Sequence, residues 1–591
     1  MRLRSLTPER VFVRLRRFVR NDQLVLSVLA LVVGAVAGGA VVAFREAILI
    51  VQLAAFGSRD EHLYIHAEGL AWWWLLAAPA AGGLIVAGLV RALTAKGRAE
   101  GVADVIEANA LRGGRMSLSA GLAAALVNAV SLGVGASAGR EGPAVHLGAT
   151  FGGWIAEKLH MTRAMSRTLL GCGVAAAVAA SFNAPIAGAL FANEVVVGHY
   201  ALRAFAPIVI ASVTGTAVSR AYFGDFPAFE LAPSQIESFA EIPAFAGLGL
   251  TAGLTAVLFM YGIRLVGAGL EKTPFPVWSR PALGGFALGA LAIVFPQVLG
   301  VGYGATESAL ASVFPLWLLF ALVLAKIAAT SISLGCGFGG GVFSPSLVIG
   351  AMLGSAYGIV AGQIFPEAAS GTTAYAVIGM GAVAAAVLGA PISTTIIIFE
   401  LTGDYALTVA AMVAVVVASV VTQQLYGRSF FTRQLEDRGL DLRAGFETAL
   451  LRGIAVRDVM TREIARVTPD TGLPMVRRML QRDPSGQLFV VRDDGVLHGT
   501  VTLADLREAA FDPAADTQIN AADVARLHPP ALCAADTLDE ALKIFRDTGE
   551  AHIAVIDTHE TETFLGCLHE RDLMNAYNRG LIASRREERG V

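Results

Sequence analysis

Long apolar stretches fill the chain from Asn21 to about Gln424, and charged, alternating sequence fills the remainder. Leu24–Phe44, Trp72–Val90 and Leu407–Val421 are long enough, or nearly so, to cross a bilayer as helices. Other apolar segments are short and broken by Gly and Pro, which predicts discontinuous helices that meet near mid-membrane. Beyond Phe431 the pattern changes. Leu488–Leu506 reads as strand, tight turn at Asp493-Asp494-Gly495, strand and helix start, and His552–Leu573 reads the same way. Upstream, Asp458-Val459 matches Asp523-Val524 and Asp470-Thr471 matches Asp536-Thr537, so the tail is two α/β modules.

The apolar part also repeats. Ser131–Pro143 (SLGVGASAGREGP) and Ser333–Pro345 (SLGCGFGGGVFSP) share Ser, Leu, three Gly and Pro at the same places, 202 residues apart. Each copy is followed by Ala-Pro-Ile, seven residues and a glutamate: Ala184 to Glu194, and Ala390 to Glu400. Two copies are therefore expected over about 21–224 and 243–424 of a transmembrane domain spanning 21–437. The expected order continues as a linker at 438–453, small modules at 454–512 and 519–581, and a tail at 582–591.

Composition supports a membrane protein. Of 591 residues 55% are hydrophobic and only 16% charged, where soluble proteins carry about 25%. Residues 1–20 hold seven arginines and one acid, which predicts a cytoplasmic N-terminus; the following apolar run is too long for a cleaved signal. Cys172, Cys336, Cys533 and Cys567 lack metal-type or disulfide-type spacing. No nucleophile–base set, cofactor fingerprint or metal cluster stands out, so neither an enzyme nor a nucleic-acid partner is expected. No cofactor is required.

In Ser131–Pro143 the charged pair Arg140-Glu141 interrupts small apolar residues, and charge inside an apolar run needs a reason. A helix starting near Glu141, with Pro143 in its first turn, would aim free N–H groups and a positive dipole end at an anion. The second copy would add a helix start at Phe343, with the amides of Val342 and Phe343. The carboxylate of Glu141 would then occupy the site until displaced or protonated. The alternative is that small residues merely pack helices and Arg140–Glu141 is a buried ion pair.

These residues resemble the CLC family of chloride channels and chloride/proton exchangers. Gly139–Pro143 (GREGP), Gly341–Pro345 (GVFSP) and the two Ala-Pro-Ile segments carry the resemblance, and the tail resembles a pair of CBS modules. The resemblance implies a polytopic all-α membrane domain of two inverted repeats, followed by a cytoplasmic α/β tandem CBS module. It further implies a homodimer in the lipid bilayer, in a bacterial inner membrane, with both termini cytoplasmic. Small inorganic anions, chloride first, would be the transported ions. Glu141 would be the gate, and Arg140, Gly142, Val342 and Phe343 would surround the anion. The helices after Ala184 and Ala390 would line the dimer interface.

The departures from the family pattern set further expectations. Its G-S-G-I-P stretch corresponds to Ala99–Asp104 (AEGVAD), where Gly101 and Val102 fit, but Glu100 replaces serine and Ala103 replaces proline. Glu100 is expected to turn toward the cytoplasmic mouth, with Arg98 or Lys96 to compensate it. An ion-coordinating tyrosine corresponds to Phe431, and Tyr426 is poorly spaced to substitute. The internal proton-relay position is Val195, which cannot carry a proton and favours a channel over an exchanger. Glu194 is expected to cap or anchor a helix, and His146 to be hydrogen-bonded in place. A membrane-anchored nucleotide or ionic sensor is the remote alternative. CBS pairs bind adenine nucleotides through a Thr or Ser and an Asp; Thr502 and Asp505 fit, whereas Asp572 has His569 in place of the hydroxyl.

Overall fold

The computed structural model describes residues 22–589 apart from 199–201, 226–228, 230–235, 237–238, 367–368, 441–450, 452–453, 484 and 507–518. The basic stretch 1–20 and most of the expected linker therefore lie outside the described residues. Two compact units divide at Leu440.

The first unit is helical. Its first half comprises α1 (Asp22–Phe56), α2 (Trp72–Leu93), α3 (Val102–Leu111), α4 (Leu118–Gly133), α5 (Glu141–Lys158), α6 (Arg163–Phe182), α7 (Pro185–Phe191) and α8 (Leu202–Phe223). A short turn of helix, Leu63–Ala67, lies between α1 and α2. The second half follows as α9 (Ile242–Glu271), α10 (Arg280–Val294), α11 (Tyr303–Leu310), α12 (Leu316–Gly335), α13 (Phe343–Ile364), α14 (Thr372–Leu388), α15 (Pro391–Thr402) and α16 (Tyr405–Leu425). The halves match helix for helix, and α17 (Phe430–Glu436) is added at the end. Nine helices among the described residues are long and apolar enough to cross a membrane.

Local chemistry sets the helix boundaries twice in the same way. α6 ends on Asn183 and α14 on Gly389, both left-handed (φ 58° and 67°); Pro185 and Pro391 then open the next helix. The crossings repeat as well. A Cβ on Gly148 would lie 2.3 Å from the Gly173 carbonyl oxygen, and one on Gly350 would lie 2.4 Å from that of Gly379. Both pairs let α5 meet α6, and α13 meet α14, backbone to backbone.

The halves are antiparallel. Gly139 and Gly341 exchange both backbone hydrogen bonds, 2.7 and 2.8 Å, as an antiparallel bridge. The Glu194 carboxylate accepts from Ile392 N and Ser393 N at the start of α15 (3.0 and 2.7 Å). Glu400, on α15, accepts from Ile186 N and Ala187 N at the start of α7 (2.9 and 2.7 Å). Each glutamate satisfies the open N–H groups of the partner helix. Such reciprocity requires an approximate two-fold axis between the halves.

The second unit contains two small sheets. In one, β1 (Arg466–Val467) runs parallel to β2 (Gln487–Val491), and β3 (Leu497–Thr502) and β4 (Arg526–Leu527) add antiparallel strands. In the other, β5 (Ala531–Cys533) is parallel to β6 (His552–Ile556), which pairs antiparallel with β7 (Phe564–His569). Gly495 makes the β2–β3 turn with φ 84°. The helices here are α18 (Leu473–Arg482), α19 (Ala521–Val524), α20 (Leu538–Thr548) and α21 (Glu570–Arg589). The expected tail at 582–591 is helical as far as Arg589, since α21 runs on through it and Ala, Arg and Glu are good helix formers.

Candidate functional site

The glycine-rich loops bring two helix starts together. Gly142 and Gly341 approach so closely that a Cβ on either would stand 3.2 Å from the other's Cα. Arg140 is the N-cap of α5 and Val342 the N-cap of α13, so the dipole ends of both helices open into one region.

Glu141 lies between them, fully buried. Its Oε1 accepts a hydrogen bond from the Tyr303 hydroxyl at 2.6 Å. Its Oε2 accepts one from Ser344 Oγ in the first turn of α13. The carboxylate thus sits at the second helix start, where an anion would be favoured. Ser344 belongs to the GVFSP motif, but the Tyr303 hydroxyl was not foreseeable, since no local pattern around Tyr303 points to a residue 162 positions away.

Arg140 is not a tight partner of Glu141. Its Nε is 3.8 Å from Glu141 Oε1, whereas its Nη1 is 2.6 Å from Glu61 Oε1 and its guanidinium lies 4.6 Å from the Tyr303 ring centre. Glu61 also bonds Arg45 at 2.5 Å. Burial pushes the Glu61 carboxyl up, but the two arginines outweigh it and hold it below the ordinary carboxylate range. The expectation of Arg140 as an anion ligand is therefore corrected: Glu61 takes its guanidinium.

On the other side a cavity of about 750 Å³ reaches Gly101, Val102, Gly142, Val342 and Phe431, five of the expected site residues. Phe343 instead packs its ring on Phe182 and Phe191, with centroids 4.8 and 5.8 Å away. Phe431 is nearly buried beside Phe430 and offers no hydroxyl. Tyr426 turns to Tyr261, 5.0 Å away. Val195 lies in a π-helical turn, Ala192–Val197, directly after the capping Glu194.

Gly101 requires a second correction. Its N–H, rather than meeting an anion, donates to Asp104 Oδ2 at 3.1 Å, the carboxylate three residues on reaching back over the start of α3. Asp104 is also where Arg98 goes (2.5 Å), and Lys96 is shared between Asp104 at 2.8 Å and Glu100 at 3.3 Å. Glu100 lines the cavity and meets His146 Nε2 at 3.2 Å. His146 is indeed hydrogen-bonded in place, but to an acid on the cavity wall.

In the second unit Thr502 Oγ1 and N both donate to Asp505 Oδ2, at 2.7 and 2.8 Å. Asp572 lines an open cavity of about 480 Å³ with Asp458, Asn575 and Arg579. His569 faces His552 across the β6–β7 pair, ring centres 4.5 Å apart.

Comparison with known proteins agrees with this geometry. Residues 82–423 match the family described as voltage gated chloride channel, and 456–512 and 521–579 each match the CBS domain. A putative chloride channel protein, ClcB-like, of Ralstonia nicotianae is 36% identical over 409 residues, 68% of this chain and 95% of that protein. A slow cyanobacterial Cl−/H+ antiporter has a similar fold (TM-score 0.62, 23% identity, covering 73% of this chain and 99% of that one). So has a eukaryotic CLC transporter (TM-score 0.61, 19% identity, 95% and 98%).

Proposed function

Because the chain belongs to the CLC family of voltage-gated chloride channels, a multi-pass membrane family that transports anions, we propose that it is a chloride channel whose gate is the Glu141 side chain. One observation carries this reading: the carboxylate occupies the start of α13, held by Tyr303 and Ser344, where two helix dipoles favour an anion. Swinging the carboxylate away, or protonating it, frees that position for a halide. Backbone donors without a fixed full charge bind weakly enough to release the ion quickly. With Gly101 capped by Asp104 and no hydroxyl at residues 100 or 431, coordination rests on Val342, Phe343 and Gly142.

The protein is read as a homodimer, with the exposed Ile186 on α7 and Ile392 on α15 at its interface. A bacterial inner membrane with cytoplasmic termini fits the bacterial relative and the arginine-rich start. The tail is read as regulatory, with an adenine nucleotide at Thr502 and Asp505; ATP binding by calorimetry, lost in Asp505→Ala, is the check. Chloride/proton exchange is the second reading, favoured by the titratable Glu100–His146 pair at the inner mouth. Chloride efflux and external pH, followed together in proteoliposomes, separate the two. Chloride flux without proton movement supports the channel, and protons driven uphill by chloride overturn it.

A further inference from the structure

The unusual group in the anion path is Glu100. A carboxylate on the wall of a cavity that leads to Val342 and Gly142 opposes the entry of any anion. Its neighbour Asp104 is well neutralised, by Lys96 at 2.8 Å, Arg98 at 2.5 Å and Arg438 at 3.4 Å, and serves as a helix cap. Glu100 has no such set. Its ion-pair partners among the described residues are Lys96 at 3.3 Å, shared with Asp104, and His146 at 3.2 Å, which offsets a charge only when protonated. His146 is buried on α5, five residues and about 7.5 Å along the axis from Glu141.

We propose that Glu100 and His146 form a proton-binding site at the inner end of the pathway, and that anion entry from this side requires a proton on the pair. With His146 neutral, Glu100 presents a negative charge to the incoming anion. One proton on the imidazole or the carboxyl cancels it, and Lys96 then adds net attraction. Among the described residues, the remaining charges on this cavity wall or acting on its ion pairs are Arg91 from α2, Arg98, Asp104 and Glu107 around α3, Arg280 from α10 and Arg438 beyond α17. Apart from Asp104 and Glu107 they are permanent cations near neutral pH, and Asp104 is tied up in ion pairs. The Glu100–His146 pair also supplies a titratable group at the inner end, which Val195 does not. The proposal rests on the anion-pathway reading above.

Glu141→Ala removes the outer carboxylate and its own titration, which isolates the inner pair. Chloride efflux from proteoliposomes is measured at equal internal and external pH, from about 5.5 to about 8.5, a range that spans imidazole titration. Efflux through Glu141→Ala is expected to fall with rising pH, at most ~tenfold per unit for one proton. In Glu141→Ala/Glu100→Gln/His146→Gln, and equally with Glu100→Ser beside His146→Gln, neither member of the pair takes a proton and the profile is expected to be flat. His146→Gln alone in the Glu141→Ala background keeps a donor to Glu100 but takes no proton, and should move the fall to lower pH. A slope that survives removal of both Glu100 and His146 overturns the proposal. Folded Glu141→Ala protein that passes no chloride at any pH removes the anion-pathway reading and the proposal with it; a pH-dependent efflux lost only when the Glu100–His146 pair is removed sustains both.

Discussion

Replacing Tyr303 by phenylalanine removes one hydroxyl from the closed gate and leaves the ring, which packs on Phe229 at 4.9 Å and beneath the Arg140 guanidinium. That hydroxyl donates to Glu141 Oε1 at 2.6 Å in a fully buried setting. A hydrogen bond to a charged group contributes about 1.5–3 kcal/mol, and each 1.4 kcal/mol is about tenfold in a population. The loss acts only while the carboxylate is in place, so Tyr303→Phe should shift the balance toward the open gate by about 10- to 150-fold. Where opening limits flux, chloride efflux from proteoliposomes rises by that factor until it meets the Glu141→Ala rate. The double substitution Tyr303→Phe/Glu141→Ala should be no faster than Glu141→Ala alone, because the hydroxyl has nothing left to hold. Efflux through Tyr303→Phe at the wild-type rate, with Glu141→Ala clearly faster, would refute the reasoning.

Three other outcomes follow from the same geometry. Glu194→Ala and Glu400→Ala each strip two N–H caps from the partner helix, and each should cost about 1–2 kcal/mol, read as a lower thermal midpoint of the purified protein; an unchanged midpoint in both would remove the mutual capping from the account. Phe431→Tyr places a hydroxyl on the cavity wall and should tighten chloride binding about tenfold by calorimetry, whereas an unaltered affinity would mean that residue 431 does not reach the ion. In the second unit, burial and the facing His569 push the His552 imidazole below its ordinary value. The unfolded chain then binds the extra proton first as pH falls below about 6.5, so stability of this unit should drop from there downward; His552→Asn should flatten the drop in thermal scans of residues 441–591, and an equal drop in both would assign it elsewhere.

Much of this arrangement can be read from local sequence because it is built from local chemistry. The starts at Glu141 and Phe343 follow from Gly before and Pro within the first turn, and the Ala-Pro-Ile segments announce α7 and α15. The glutamates at 194 and 400 repeat at equal spacing, and their capping role follows from a carboxylate's affinity for open N–H groups. Pairings across the molecule are another matter. That the halves run antiparallel, that Tyr303 reaches Glu141 and that Glu61 takes Arg140 all depend on contacts between distant segments, which helical periodicity does not encode. Asp104 lies between these cases. A carboxylate three residues after a helix N-cap can reach back to the N-cap amide, so Asp104 is a local signal that the Gly101 N–H is already taken.

The central claim is that the Glu141 carboxylate occupies a position that otherwise holds the anion. Crystals of wild-type and Glu141→Ala protein grown in bromide test it through the anomalous signal of the halide. A bromide peak beside Ser344, at the starts of α5 and α13, in Glu141→Ala and absent at that point in wild type is the predicted result. A peak there in both proteins with the Glu141 carboxylate still in place, or in neither, would contradict the account.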